Sequence, residues 1–147
     1  MTDDGRALRW LEDGFAVAGQ IHADEFTALK AAGIGTIINN RPDGEEHSQP
    51  TNQELATAAA AAGIGWRHAP MAGGIAPTML DAVDEATGGQ GAVLAFCRSG
   101  TRSTYLWALA RARAGDDLDV IAARAAAAGY DLAAVRPLME RLSAEAN

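Results

Sequence analysis

The sequence has a single cysteine, Cys97, and only three histidines among its 147 residues. One cysteine excludes an internal disulfide, and a reactive thiol suits a reducing compartment such as the cytoplasm. The histidines His22, His47 and His68 are scattered and do not form the clustered donor set of a metal site. No glycine-rich nucleotide loop is present. We therefore expect neither a metal nor another cofactor.

Positive charge and long apolar runs are also scarce. The net charge of −7 argues against a nucleic-acid partner, which would require a basic stripe. No apolar run approaches the length of a membrane span, so we expect no membrane partner. Residues 1–6 lack the basic and apolar pattern of a signal peptide. The length favours one domain over residues 1–147.

Strand patterns alternate with helix patterns along the chain. The predicted strands follow a hairpin-like segment at residues 10–19 and cover residues 34–39, 64–69 and 91–96. The predicted helices cover residues 25–32, 51–62, 78–87, 104–111, 118–128 and 132–142, with Asp24 and Thr51 as candidate N-caps. This order predicts a three-layer α/β fold with a mainly parallel central sheet and helices on both faces.

The most informative stretch is the cysteine loop, residues 97–103, which lies between an apolar strand and a helix. Arg98 and Arg102 flank the thiol of Cys97, and Gly100 permits a tight turn. Backbone N–H groups at a helix N-terminus bind oxyanions and favour a thiolate, which predicts an ionised, accessible nucleophile. The alternative is a buried structural cysteine, but arginines, glycine and hydroxyls do not suit a core.

The carboxyl ends of parallel strands meet at one edge of a sheet, where ligands bind. The strand ends near Asn40, Met71 and Cys97 should therefore lie together. The loop after Asn40 carries Arg41, Asp43, Glu45 and Glu46. We expect this acidic loop, residues 40–46, to reach the cysteine loop.

The segment Cys-Arg-Ser-Gly-Thr-Arg-Ser resembles two kinds of loop. It resembles the oxyanion loop of cysteine-dependent phosphatases, where five residues separate cysteine and arginine. Here Arg102 follows Cys97 after four residues, and Ser103 occupies the place of the phosphatase arginine. It also resembles the sulfur-carrying loop of rhodaneses, which commonly has the shorter spacing.

Two further segments, Val17-Ala-Gly-Gln-Ile and Ile37-Ile-Asn-Asn-Arg-Pro-Asp-Gly-Glu-Glu, resemble the bacterial β-lactamase hydrolase-like family, in its phosphatase-like domain. The resemblance covers the chain from about residue 15 to about residue 132. It implies a fold like that of dual-specificity phosphatases. Members of the family have been called both phosphatase-like and sulfurtransferase, so the resemblance leaves both chemistries open.

For phosphoryl transfer, the resemblance implies that Cys97 attacks phosphorus and forms a phosphocysteine. Backbone N–H groups of residues 98–103 would hold the oxygens, and Arg102 would add a bidentate contact. Ser103 or Thr104 would donate to the sulfur, although Ser103 could equally cap the helix. The substrate-binding residues are then Arg98, Ser99, Gly100, Thr101, Ser103, Arg41, Glu45 and Glu46.

The leaving-group acid is the weak point of this assignment. Dual-specificity phosphatases carry an aspartate on the loop that matches residues 70–77, and this sequence has no acid there. We assign the role to Asp43, with Glu45 and Glu46 as substitutes. The alternative is that Asp43 only forms the Pro-Asp-Gly turn and the glutamates are solvated. A missing acid predicts a slow phosphatase.

The sequence thus predicts a cysteine-dependent phosphatase-like hydrolase of phosphate monoesters, with Cys97, Arg102 and Asp43 as catalytic residues. Its partner would be a small oxyanion or a phosphorylated substrate. Two alternatives stay open: a rhodanese-like sulfurtransferase with a Cys97 persulfide, and an oxyanion-binding module without catalysis.

Overall fold

A computed structural model describes residues 8–146. Its centre is a five-stranded sheet in the order β1-β2-β5-β3-β4. The strands are β1 Arg9–Glu12, β2 Phe15–Ala18, β3 Ile34–Asn39, β4 Gly65–His68 and β5 Ala92–Phe96. β1 and β2 pair antiparallel, and all other neighbours pair parallel. The predicted hairpin and the mainly parallel sheet are confirmed.

Helices cover both faces of this sheet. They are α1 Phe26–Ala31, α2 Asn52–Ala61, α3 Pro77–Thr87, α4 Thr101–Arg113, α5 Leu118–Ala127 and α6 Arg136–Ala146. Short 3-10 turns precede α1 and α6, at Ala23–Glu25 and Ala133–Val135. One apolar cluster includes side chains of α1 and α2, and a second includes side chains of α3 to α6. The predicted three-layer fold is therefore confirmed.

Strand β5 shows why its sequence is an unbroken apolar run. It lies between β2 and β3, with a parallel neighbour on each side. Leu94 and Phe96 belong to the cluster under α1 and α2, whereas Val93 and Ala95 belong to the opposite cluster. A strand that is buried on both faces has no polar side in its pattern. This burial fixes the strand that delivers Cys97 to the sheet edge.

Of the two predicted helix N-caps, one is confirmed and the other is wrong. The capping box of α2 is confirmed, because the Glu54 N–H donates to Thr51 Oγ1 (3.1 Å) and the Thr51 N–H donates to Glu54 Oε1 (2.9 Å). The N-cap predicted at Asp24 is wrong, because this residue lies inside the 3-10 turn. There the His22 N–H donates to the carboxylate of Glu25 instead (2.9 Å).

Loops that follow β3, β4 and β5 converge at one edge of the sheet, as the sequence predicts. The Asn40 N–H donates to the carbonyl of Phe96 (2.9 Å), which joins the ends of β3 and β5. The Met71 N–H donates to the carbonyl of Asn40 (2.9 Å), which joins the loops after β4 and β3. These backbone bonds place the acidic loop beside the cysteine loop.

Candidate active site

Cys97 lies at the end of β5, just before helix α4. Its residue surface is 1% exposed, and its Sγ accepts a hydrogen bond from the Gly100 N–H (3.1 Å). Gly100 is the N-cap of α4 and has a φ of +92°, in the left-handed region that favours glycine. The expectation of an accessible thiol is wrong for this conformation, since Cys97 is buried.

Most backbone N–H groups of the cysteine loop have no protein acceptor. The Gly100 N–H donates to Cys97, and the Thr104 N–H donates to the Gly100 carbonyl (2.9 Å). Within residues 8–146, the other N–H groups of the loop find no protein acceptor: those of Arg98, Ser99, Thr101, Arg102 and Ser103. The last three form the first turn of α4, where N–H groups are unpaired and the helix dipole favours an anion.

Arg102 is held by three hydrogen bonds, and two of its guanidinium N–H groups take no part in them. Nη1 donates to Glu45 Oε2 (2.8 Å) and to the carbonyl of Met71 (2.9 Å), and Nη2 donates to Glu45 Oε1 (2.9 Å). A guanidinium has five N–H donors, so Nε–H and one Nη2–H donate to no protein oxygen or nitrogen in the described chain. The Glu45 hydrogen bonds chiefly raise the Arg102 pKa, and the charge of Cys97 and a side-chain hydrogen bond to it add to the rise.

Arg41 supports this arrangement by binding Glu45 and Glu46. Its side chain is 2% exposed, and its Nε donates to Glu45 Oε1 (2.9 Å). Nη1 donates to Gln20 Oε1 (2.8 Å), and Nη2 donates to Glu46 Oε1 (2.7 Å). A buried charge must be paired in this way to be tolerated. Arg41 therefore fixes both glutamates rather than offering itself to a ligand.

The network formed by Arg41, Glu45, Glu46, Arg98 and Arg102 keeps both glutamates ionised. The pKa of Glu45 is lowered from 4.5 to about 2, chiefly by the hydrogen bond from Arg102 and then by Arg41. The pKa of Glu46 is lowered too, by the hydrogen bond from Arg41 and by the charge of Arg98, whose Nη2 lies 3.7 Å from Glu46 Oε2. Ionised carboxylates accept protons and do not supply them.

Asp43 is placed differently. Its Oδ1 accepts the backbone N–H of Asn52 (2.8 Å), the first residue of α2. Within residues 8–146 this hydrogen bond joins Asp43 to helix α2 and none joins it to the cysteine loop, so the acid role that we expected for Asp43 has no structural support. Glu45 and Glu46 do reach the site, which corrects the alternative that they are merely solvated.

The hydroxyls of Ser103 and Thr104 both donate to protein oxygens. Ser103 Oγ donates to Asn40 Oδ1 (2.8 Å), and Thr104 Oγ1 donates to the Gly100 carbonyl (2.8 Å). Each hydroxyl has one proton, so neither can also donate to the Cys97 sulfur in this conformation. Ser103 is not the helix N-cap either, because Gly100 holds that position. Both roles that we expected for the Ser103 hydroxyl are wrong.

Two residues that were not predicted to act in the site also contact this region. Asn40 is buried, donates from Nδ2 to the Ala69 carbonyl (2.9 Å) and accepts from Ser103. Its position just after β3 and directly before Arg41 is the sequence signal for this role. Tyr130 donates from Oη to the Ser99 carbonyl (3.1 Å). Nothing in the local sequence around Tyr130 points to the distant cysteine loop.

Within the described part of the chain, no group of three or more His, Cys, Asp or Glu side chains could hold a metal ion. His68, one of the scattered histidines, places its Nε2 3.4 Å from the carbonyl of Arg41. Among residues 8–146, every helix is too short or too polar to cross a membrane.

Residues 7–114 match the family described as "Beta-lactamase hydrolase-like protein, phosphatase-like domain". The chain belongs to this family. The beta-lactamase hydrolase-like protein of Agrobacterium fabrum is 36% identical over 148 residues, which cover 95% of this chain and 33% of the relative. The homologue of Xylella fastidiosa is 36% identical over 134 residues, which cover 89% and 31%. This phosphatase-like chain thus spans about a third of the length of these curated relatives.

Solved structures confirm the phosphatase type of fold. A candidate phosphatase from Neisseria meningitidis is 33% identical with a TM-score of 0.74, covering 94% of this chain and 96% of its own. A candidate phosphatase from Shewanella putrefaciens is 20% identical with a TM-score of 0.71, covering 98% and 95%. TpbA of P. aeruginosa, solved with phosphotyrosine, is 16% identical with a TM-score of 0.68, covering 99% and 93%. The last two show the fold alone.

Proposed function

We propose that this phosphatase-like domain hydrolyses phosphate monoesters through a phosphocysteine at Cys97. The observation that carries the proposal is the state of Arg102. Glu45 and Met71 occupy three of its N–H donors, and Nε–H and one Nη2–H, on the side chain that pairs with the Cys97 sulfur, donate to no protein oxygen or nitrogen in residues 8–146. Two adjacent N–H groups of a guanidinium match two oxygens of a phosphoryl group.

The reaction would use this arrangement in two steps. The Cys97 thiolate attacks phosphorus, an S–P bond forms, and the ester P–O bond breaks with its electron pair on the leaving oxygen. The unpaired N–H groups of residues 98–103 and the free donors of Arg102 stabilise the charge on the other phosphoryl oxygens. Water then attacks phosphorus, the S–P bond breaks, and phosphate leaves while a proton passes to solvent and the thiolate is restored.

The leaving oxygen receives little help in this scheme. Glu45 is ionised with a pKa of about 2, and the pKa of Glu46 is also lowered. A general acid must hold a proton at the working pH, so neither glutamate fits that role in this conformation. We therefore propose aryl phosphates such as phosphotyrosine as substrates, because a phenol (pKa about 10) leaves more readily than an aliphatic alcohol.

The test compares hydrolysis of p-nitrophenyl phosphate and of phosphoserine by the wild type and by Cys97→Ser. We expect slow, Cys97-dependent hydrolysis of the aryl ester and little or none of the alkyl ester. Acid quenching during turnover should reveal one phosphoryl group on the peptide that contains Cys97. Hydrolysis that survives in Cys97→Ser, or no hydrolysis at all, would overturn the proposal.

A second candidate is sulfur transfer through a Cys97 persulfide. A reactive thiol suits a reducing compartment, which we take to be the cytoplasm. Two observations favour it: the four-residue spacing from Cys97 to Arg102 and the absence of a protonated carboxyl group in the arginine–glutamate network. The thiolate would attack the outer sulfur of thiosulfate, and sulfite would leave with the S–S electron pair. Cyanide would then take the outer sulfur as thiocyanate and restore the thiolate.

Incubation with thiosulfate and cyanide separates the two candidates. Thiocyanate that forms only with Cys97, in a protein that leaves aryl phosphate untouched, would replace the phosphatase proposal with sulfur transfer. If neither reaction occurs but sulfate or vanadate binds, the chain is an oxyanion-binding module. Cys97→Ser is the control for both reactions.

A further inference from the structure

Tyr130 reaches the cysteine loop from the segment between α5 and α6, beyond the matched residues 7–114. It is held independently of that loop. Its backbone N–H donates to the Ala125 carbonyl (2.9 Å), and the Arg9 guanidinium carbon lies 5.4 Å from the centre of its ring. Arg9 itself donates to the Ala128 carbonyl at the end of α5 (3.0 Å). These contacts hold the ring in place without any residue of the cysteine loop.

One peptide group links Tyr130 to the nucleophile. The Tyr130 hydroxyl donates to the carbonyl of Ser99 (3.1 Å), and the N–H of the same Ser99–Gly100 peptide donates to Cys97 Sγ (3.1 Å). No peptide bond in residues 8–146 is cis. In a trans peptide the C=O and the N–H point in opposite directions, so holding one fixes the direction of the other.

The Tyr130 hydroxyl lies directly against Gly100, with no room for a side chain between them. A Cβ added at Gly100 would lie 2.2 Å from the Tyr130 hydroxyl oxygen and 3.1 Å from the ring carbon that bears it. Burial chiefly raises the pKa of Tyr130, the charge of Cys97 raises it further, and Arg9 opposes the rise. The hydroxyl therefore keeps its proton at neutral pH and remains a donor.

We propose that Tyr130 is a positioning residue for the Cys97 site. Its hydroxyl orients the Ser99–Gly100 peptide so that the Gly100 N–H faces the sulfur and stabilises the thiolate. The inference rests on the proposed function only in taking Cys97 as the nucleophile. Without the hydroxyl, the peptide is free to rotate, and the sulfur loses its one backbone donor in the described chain.

The test compares Tyr130→Phe with Tyr105→Phe, the same chemical change on α4 at a half-buried tyrosine whose hydroxyl has no hydrogen bond within residues 8–146. Cys97 is the only cysteine, so alkylation by iodoacetamide reports on it alone. The rate is measured against pH, since the midpoint of the profile reports the thiolate and the plateau reports access. We expect Tyr130→Phe to raise the midpoint by roughly half a pH unit, the effect of losing one hydrogen bond.

With p-nitrophenyl phosphate, Tyr130→Phe should lower kcat roughly fivefold and leave KM within about twofold. Tyr105→Phe should change neither the midpoint nor kcat. An unchanged midpoint in Tyr130→Phe, with or without a lower melting temperature, would overturn the inference, and so would an equal shift in Tyr105→Phe. If the wild type hydrolyses no phosphate ester, the proposed function fails, but the alkylation midpoints still decide the role of Tyr130.

Discussion

The guanidinium of Arg102 donates to both carboxylate oxygens of Glu45, at 2.8 and 2.9 Å. This pairing decides what each group can do. Glu45 is held as an anion and cannot act as an acid, whereas Arg102 is held in place with two N–H groups that donate to no protein oxygen or nitrogen in residues 8–146. The site therefore has a fixed arginine with donors that could face an oxyanion, and no proton donor among its glutamates. That combination is the reason for proposing substrates with good leaving groups.

Substitution of Glu45 distinguishes a positioning role from an acid role. In Glu45→Gln the charged acceptor of Arg102 is lost, so we expect kcat to fall roughly tenfold for p-nitrophenyl phosphate and by the same factor for a phenol ester of poorer leaving ability. An acid would be needed more by the poorer leaving group. A fall confined to the poorer ester would show that Glu45 donates a proton. Glu85→Gln removes an exposed partner of Arg67 and is the control.

The same carboxylate makes stability depend on pH. The pKa of Glu45 is lower in the folded chain, about 2 against 4.5. The stabilising contribution of its charge to the free energy of unfolding is therefore complete above about pH 4.5 and is lost as the pH falls through about 2. We expect the difference in the free energy of unfolding between wild type and Glu45→Gln to be constant near neutral pH and to shrink below pH 4.5. Urea denaturation across this range measures it. A difference that grows on acidification would have the wrong sign.

Much of the fold could be predicted because its signals are local. Thr51 and Glu54 form a capping box within one helical turn, and the apolar run before Cys97 specifies a strand buried on both faces. The meeting of the strand ends followed from the parallel sheet. Asp24 failed as a cap because the helical geometry begins one residue earlier, in the 3-10 turn Ala23–Glu25, whose N-cap is His22.

The site was less predictable because its chemistry depends on contacts between distant residues. Asp43 and Glu45 are equivalent in the sequence, but one binds the start of α2 and the other binds Arg102. Nothing local indicates which of these carboxylates an arginine will bind. Tyr130 lies 31 residues from the carbonyl that it contacts at Ser99, so no spacing rule could reveal it.

The two arginines of the cysteine loop should differ in their importance for anion binding. Arg102 is anchored by three hydrogen bonds, whereas the Arg98 side chain is 68% exposed and makes only a 3.7 Å ion pair with Glu46. We expect Arg102→Lys to weaken vanadate binding by roughly a hundredfold, because lysine cannot form the bidentate contact. Arg98→Lys should weaken it by less than about threefold. A larger loss in Arg98→Lys would reverse the assignment.

The buried hydroxyl of Ser103 should matter for stability and not for the reactivity of the thiol. It donates to Asn40 Oδ1, and both residues are about 1% exposed. Ser103→Ala leaves that oxygen without its donor, so we expect a loss of about 1–3 kcal/mol in the free energy of unfolding. The alkylation profile of Cys97 should not move. Ser48→Ala, at an exposed position, is the control, and an unchanged stability in Ser103→Ala would contradict the expectation.

A pair of glycines separates backbone strain from the contact with Tyr130. Gly14 and Gly100 have similar φ values, +86° and +92°, but a Cβ at Gly14 would meet nothing within 4 Å. Gly14→Ala should therefore cost only the left-handed strain, about 1–2 kcal/mol. Gly100→Ala adds an overlap at 2.2 Å with the Tyr130 hydroxyl and should cost more.

Combining Gly100→Ala with Tyr130→Phe tests where the extra cost arises. Removing the hydroxyl removes the 2.2 Å overlap but leaves the ring carbon at 3.1 Å, so the alanine should be less destabilising in the Phe background than in the wild type. Urea denaturation of the wild type, both single variants and the double variant gives the coupling free energy. Residues in contact couple by about 0.5–3 kcal/mol, whereas distant ones add within about 0.5 kcal/mol. Additive costs would mean that the hydroxyl and Gly100 are not in contact in solution, and the orientation of the Ser99–Gly100 peptide would then need another cause.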